Sequence, residues 1–192
     1  MKKGVCYFIA IVMLILSFIF DKQIVMYVTQ NRTISLDIIF TALTYVGSAM
    51  LFIALILVIY IWVEHEREYL TPLIYGVILT FIIVYLIKIG VGRIRPYEVL
   101  AIVPLVNHLS SYSFPSMHAA LAFAVLAVLN KVSKLKGFWI ILVLFISFSR
   151  VYVGIHYLSD VIMGGLIGYG VVHFLFKSKN RRWYKEVDVF DR

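Results

Sequence analysis

Six apolar runs, each closed off by charged residues, constrain this chain more than any other feature: Val5–Phe20, Thr44–Val63, Thr71–Ile87, Phe114–Leu129, Phe138–Val153 and Leu158–Phe176. About 20 apolar residues of helix cross the hydrocarbon core of a bilayer. Within that core each backbone N–H and C=O must be satisfied by the spanning structure itself, which only helices and closed barrels achieve. These runs are continuous rather than alternating, so they predict helices. The first, fourth and fifth fall short of a full crossing, and their ends are expected to reach into the interface. Composition agrees: the 192 residues are 62% hydrophobic and 15% charged, against roughly half apolar and a quarter charged in soluble domains. Lipid must solvate the excess. The expected fold is all-α, a polytopic membrane bundle of six transmembrane helices over residues 1–176, with a short charged tail over 177–192.

The charges serve topology. A formal net charge of +8 could suggest nucleic acid as a partner, but the basic residues sit in the gaps between apolar runs and at the ends, not along one face. Nucleic acid is therefore not an expected partner, whereas the bilayer is. Placing both termini in the cytoplasm leaves Lys22, Arg32, Lys88, Arg93, Arg95 and Arg150 outside and the other twelve of eighteen basic residues inside. The excess of Lys and Arg marks the cytoplasmic side. Lys2 and Lys3 precede the first run as in a signal peptide. Asp21 and Lys22 follow it without a small-x-small cleavage pattern, so a retained helix is expected. Ser35–Leu43 reads as a partly amphipathic lead-in to the second run. Lys22, Arg32 and Arg93 read as interfacial anchors whose heads snorkel to water. Cys6 cannot form an internal disulfide and reads as a structural thiol, and the Asn31-Arg32-Thr33 sequon carries no weight.

Ionisable groups at membrane depth are costly and usually mark function. Here they gather at span ends on one side. Lys88 ends the third run, with Arg95-Pro96 seven residues on. Pro115-Ser116-Met117-His118 opens the fourth, Ser149-Arg150 closes the fifth, and His156 and Asp160 flank the start of the sixth. His156 and Asp160 are four apart, so on a helix they share a face. A carboxylate there can hold one imidazole nitrogen and leave the other free to attack. Pro115 suits a first helical position. That would put Ser116, Met117 and His118 at a helix amino terminus, where free N–H groups and the helix dipole favour an anion. Lys88, Arg95 and Arg150 add three cations, enough for a phosphate dianion.

These elements resemble a known family. Lys-x6-Arg-Pro from Lys88 to Pro96, Pro-Ser-x-His from Pro115 to His118, and Ser-Arg-x5-His-x3-Asp from Ser149 to Asp160 are similar to the three-part signature of the type 2 phosphatidic acid phosphatase superfamily, in the family's order. The resemblance implies an enzyme that removes phosphate from lipids without a metal or other cofactor. His156 would take the phosphoryl group, Asp160 would orient it, and His118 would protonate the leaving oxygen and later activate water. Lys88, Arg95, Ser116 and Arg150 would hold the phosphate, with Met117 contributing its backbone N–H. Met117 stands where the family usually has glycine. Its side chain is expected to add bulk near the site and narrow the headgroups accepted, and a positive φ there would strain it.

The implied partners are a phospholipid or isoprenoid phosphate or diphosphate and the bilayer. The expected location is the plasma membrane, with the site on the extracytoplasmic side. Phosphotransfer to an acceptor hydroxyl through the same histidine stays open, as does a non-catalytic lipid-binding or transport role. His65, His108 and His173 lack motif context and read as structural or solvated. Gly164 and Gly168 read as a small-xxx-small pair that lets helices approach within the chain.

Overall fold

The computed structural model of the chain describes residues 2–48, 69–107 and 110–190, with side chains set out between residues 9 and 178. Seven helices occupy the described residues: α1 (Lys2–Gln30), α2 (Ile34–Ser48), α3 (Leu70–Val91), the single turn α4 (Pro96–Val99), α5 (Met117–Val132), α6 (Lys136–Tyr152) and α7 (Leu158–Phe190). No strand is present among them. Among the described residues, three segments are long and apolar enough to cross a membrane, Ile11–Gln30, Pro72–Val99 and Leu158–Ser178, and α2 and α5 are shorter apolar helices. The rest of the second run beyond Ser48, His65 and His108 lie outside the described residues, as do the side chains of Cys6 and of the charged tail from residue 179 on.

The fold is organised around α5. Ten of its sixteen residues are buried, which explains why a helix too short for an easy crossing is nevertheless the centre: its neighbours, not lipid, surround it. Five alanines (Ala119, Ala120, Ala122, Ala124, Ala127) keep its surface low. Gly164 and Gly168 of α7 face it so closely that a Cβ at either would collide with the backbone carbonyl of Ser116 or Ala120. Small residues at a crossing let two backbones pack where lipid offers no hydrophobic drive. Leu73 of α3 and Val172 of α7 join Val125, Val128 and Leu129 in one core cluster, and Val143 and Ile146 of α6 join Leu121 and Leu126 in a second. The outer faces of α1, α3 and α6 expose Ile15, Phe18, Phe81, Leu86, Ile141 and Phe145. So much contiguous apolar surface suits lipid rather than water.

Several element ends differ from the sequence reading. α1 continues ten residues past Phe20, because Asp21 is buried between partners rather than marking the membrane edge. Ser35–Leu43 is helical and runs unbroken into the second apolar run as α2. Pro115 does not open α5; it precedes Ser116, the N-cap, and its peptide bond to Phe114 is cis. α7 extends as one helix through the start of the expected tail to Phe190.

Two turns aim the polar residues. α3 ends at Gly92, whose φ of +62° is left-handed and whose N–H bonds the carbonyl of Lys88 at 3.1 Å. A glycine there avoids the Cβ penalty of that conformation. It swings Arg93 and Arg95 back over the bundle, and Pro96 then opens α4. α6 ends just before Gly154, with φ +84°. A Cβ there would also press on the Arg32 guanidinium at 2.9 Å and Ile102 at 2.8 Å.

Candidate active site

The end of α3, the start of α5, the end of α6 and the start of α7 meet at one end of the bundle. His156 occupies the turn between α6 and α7, two residues before the helix rather than on it. Two backbone bonds to the carbonyl of Arg150, from Ile155 N at 3.3 Å and His156 N at 3.2 Å, fold this turn. The side chain is 2% exposed. Its Nδ1 lies 3.3 Å from Oδ2 of Asp160, which also accepts Tyr157 N–H at 2.9 Å and a short hydrogen bond from Ser113 Oγ. The i, i+4 spacing thus brings the pair together through a turn and the first turn of α7.

The cations surround the other imidazole edge. Arg95 Nη1 lies 3.4 Å from His156 Nε2. Most Arg95 donors are committed to the chain, to the carbonyls of Ser111, Tyr112 and Ile155. Lys88 Nζ likewise donates to the carbonyls of Tyr112 and Ser113, at 2.6 and 3.3 Å. Both therefore also brace the loop that carries Ser113. Arg150 is different. It is 3% exposed, yet its Nε and Nη1 have no hydrogen-bond partner among the described residues. An unsatisfied buried donor is costly, more so when charged, so an anion that accepts from it would be held strongly.

Ser116 caps α5, its Oγ accepting Ala119 N–H at 3.5 Å, while its own N–H bonds the carbonyl of Asp160 at 2.9 Å. This last bond ties the start of α5 to the first turn of α7. Met117 is the first helical residue, which removes the positive-φ concern, and its side chain packs against the Leu121–Ile146 cluster. His118 Nε2 lies 3.1 Å from Ser48 Oγ of α2.

Lys88, Arg95 and Arg150 act electrostatically on both histidines. For His156, in the turn outside the spans, burial first and those three cations second hold the imidazole well below its ordinary value. It is neutral near pH 7. With Nδ1–H aimed at Asp160, the Nε2 lone pair is the one available for attack. The arrangement can bind a tetrahedral dianion beside a neutral imidazole and pass a phosphoryl group to it.

All eight residues expected from the sequence gather at this end. Five more contributors did not stand out there. Arg93, read as a membrane anchor, donates to Asp21, Ser159 and Asp160, each at 2.7 Å. Arg32, read the same way, donates to the carbonyls of Tyr152 and Val103. Ser113, Ser48 and Asp21 complete the set. The rule that flagged the other polar groups at membrane depth also applies to Asp21, the one acidic residue of α1.

An all-helical bundle with membrane-crossing apolar segments and buried cations around two histidines defines an integral membrane protein built on a polar site at one end. It belongs to the PAP2 superfamily, which residues 69–184 match. Among curated relatives, the chain is 33% identical over 132 residues to the bacitracin transport permease protein BcrC of Bacillus licheniformis, covering 66% of this chain and 64% of that one. It is 35% identical over 96 residues to the undecaprenyl-diphosphatase BcrC of Bacillus subtilis, covering 50% and 49%. It is 34% identical over 102 residues to an undecaprenyl-diphosphatase of Sulfolobus acidocaldarius, covering 47% and 49%. The matches thus span between about half and two thirds of those relatives' lengths. Among solved structures, LpxE of Aquifex aeolicus superposes with a TM-score of 0.74 at 28% identity, over 82% of this chain and 95% of that one. A transmembrane PAP2-type phosphatidylglycerolphosphate phosphatase of Bacillus subtilis gives 0.74 at 24%, over 95% and 98%, a likeness of fold.

Proposed function

We propose that the chain is a membrane phosphatase that hydrolyses a lipid phosphate monoester or diphosphate through a phosphohistidine. One observation carries the reading: buried Arg150 keeps two donors unpartnered beside a neutral His156 whose Nδ1 is held by Asp160. A phosphate accepting from Arg150, Arg95, Lys88 and the N–H groups at the start of α5 would lie against His156 Nε2. Nε2 then attacks phosphorus, and the bond to the lipid oxygen, or to the lipid-bearing phosphate of a diphosphate, breaks as His118 gives that oxygen a proton. Asp160 stabilises the charged imidazole formed. In the second half, His118 takes a proton from water, the hydroxide attacks phosphorus, and the P–N bond breaks to release inorganic phosphate and restore His156. Positive charge fixed where negative charge develops is usually the largest single contribution to such a step.

Two of the named relatives are undecaprenyl-diphosphatases, which makes a polyprenyl diphosphate the leading substrate, ahead of phosphatidate and phosphatidylglycerol phosphate. A transport role, suggested by the name of another relative, gives no use for a histidine held as a nucleophile. The reading further includes one six-span domain over 1–176, a cytoplasmic tail over 177–192, cytoplasmic termini, and a site facing outward from the plasma membrane. At that depth a headgroup meets the cations while its tail stays in hydrocarbon, which avoids about 0.8 kcal/mol for each CH₂ otherwise drawn into water.

Purified protein in detergent is the test. Phosphate release from undecaprenyl diphosphate, lost in His156→Ala, is the expected result; no release from that lipid, phosphatidate or phosphatidylglycerol phosphate contradicts the reading. Transfer of the phosphate to an added alcohol in place of water would identify a phosphotransferase. Sidedness is read by thiol labelling of intact cells in a Cys6→Ala background. An impermeant reagent should modify Asn107→Cys and spare Lys134→Cys at the opposite end of α5. The reverse pattern would turn the site to the cytoplasm.

A further inference from the structure

Asp160 has a second set of contacts that the three-part signature does not contain. Its Oδ2 faces His156, but its Oδ1 accepts from Arg93 Nη1 at 2.7 Å. The other terminal nitrogen of Arg93 reaches Oδ2 of Asp21 on α1, also at 2.7 Å. Its guanidinium lies over the ring of Tyr157, 4.0 Å from the centroid. Asp21 in turn accepts the backbone N–H of Ser159 at 2.9 Å through Oδ1 and a short bond from Ser159 Oγ through Oδ2. Asp21 is 2% exposed and Asp160 fully buried.

The charges explain the arrangement. A buried carboxylate is tolerated only when paired and fully hydrogen-bonded, and Asp160 would lack a partner on Oδ1 without Arg93. A planar guanidinium can bridge two carboxylates in fixed geometry, which an ammonium cannot. Arg93 lying between Asp21 and Asp160 is thus fixed from both sides. Ser159 immediately precedes Asp160 in the first turn of α7, where backbone N–H groups have no intrahelical partner. Asp21 supplies one from 138 residues away in sequence, so α1 is fastened to the turn that carries Asp160.

We infer that Arg93 and Asp21 are positioning residues for catalysis: they lock the Asp160 carboxylate so that only Oδ2 presents to His156 Nδ1. Neither touches the bound phosphate; both act through Asp160. The role rests on the phosphatase reading of the site. Outer partners of this kind typically change activity by about 10- to 100-fold.

The experiment measures kcat and KM for undecaprenyl diphosphate in wild type, Arg93→Gln, Arg93→Lys, Asp21→Asn, Asp160→Asn and the double variant Arg93→Gln/Asp160→Asn, with thermal melting of each to show that it folds. Arg93→Gln should lower kcat about 10- to 100-fold with KM little changed. Arg93→Lys should recover part of that loss, and Asp21→Asn should fall between it and wild type. In the Asp160→Asn background, Arg93→Gln should have no further effect on kcat, because a residue that works through Asp160 has nothing left to orient. A residue that merely holds the fold would lower kcat equally in both backgrounds. That additive result, or an unchanged kcat in Arg93→Gln, would overturn the positioning role while leaving the phosphatase reading intact. Wild-type protein silent on undecaprenyl diphosphate, phosphatidate and phosphatidylglycerol phosphate would overturn the phosphatase reading and this role with it.

Discussion

The two ends of α5 are built to opposite rules. At its start, Lys88, Arg95, Arg150, His156, Ser116, Ser113, Asp21 and Asp160 are all buried. At its far end, Val125, Val128 and Leu129 pack against Leu73 and Val172, edged by Tyr69, Trp139 and Phe176. Both ends are dry, but only one uses dryness to strengthen charge. Burying ions costs stability even when they are paired, whereas the apolar end holds the helices together by close packing. The difference suggests a division of labour, in which the far end of the bundle stabilises the near end in a geometry that charge alone would not favour.

Substitutions should break that division in a set order. His156→Ala removes the proposed nucleophile and should abolish phosphate release while leaving the melting temperature close to wild type; substantial residual turnover would contradict the assignment. Asp160→Asn should keep the fold but lower kcat by about 10⁴-fold, as seen when the orienting carboxylate of a hydrolytic triad is replaced. Arg150→Ala removes the cation with unpartnered donors and should lower kcat/KM by about 10²- to 10³-fold. It should not reduce stability, since no hydrogen bond from Nε or Nη1 is lost. Leu73→Ala, at the other end, should invert the pattern. It should destabilise the protein by about 2–5 kcal/mol and leave kcat/KM unchanged below the melting transition. A loss of activity matching that of Arg150→Ala would mean that the two ends are not separable.

The near end was the more legible in sequence, because chemistry at fixed spacing leaves a pattern. Lys88, Arg95, His118, Arg150, His156 and Asp160 lie at distances that turns and helix starts convert directly into neighbours. Arg93 and Asp21 left no such trace. Arg93 looked like any basic residue at a membrane edge, and its meaning depends on Asp21, which meets it only when α1 packs beside the start of α7. Local patterns do not encode that contact. The helix ends differ from the sequence expectation for a related reason. A charge normally marks the interface, so Asp21 predicts the end of the first run, yet its partners inside the bundle let α1 continue past it. Pro115 suits the first helical position by its general preference, but the Ser116 cap places the helix start two residues later. The shortness of the fourth run was legible; that it marks the central helix depended on the alanines and on Gly164 and Gly168 acting together.

The central claim is that a phosphoryl group passes through His156. The most direct test is rapid acid-free quenching of purified protein with undecaprenyl diphosphate labelled in its terminal phosphate, followed by denaturation and peptide mapping. Wild type should carry acid-labile, alkali-stable label on the peptide containing His156, accumulating further in Arg93→Gln if the later hydrolysis slows, and His156→Ala should carry none. Label on another residue, or normal turnover with none trapped at any quench time and full activity in His156→Ala, would contradict the account.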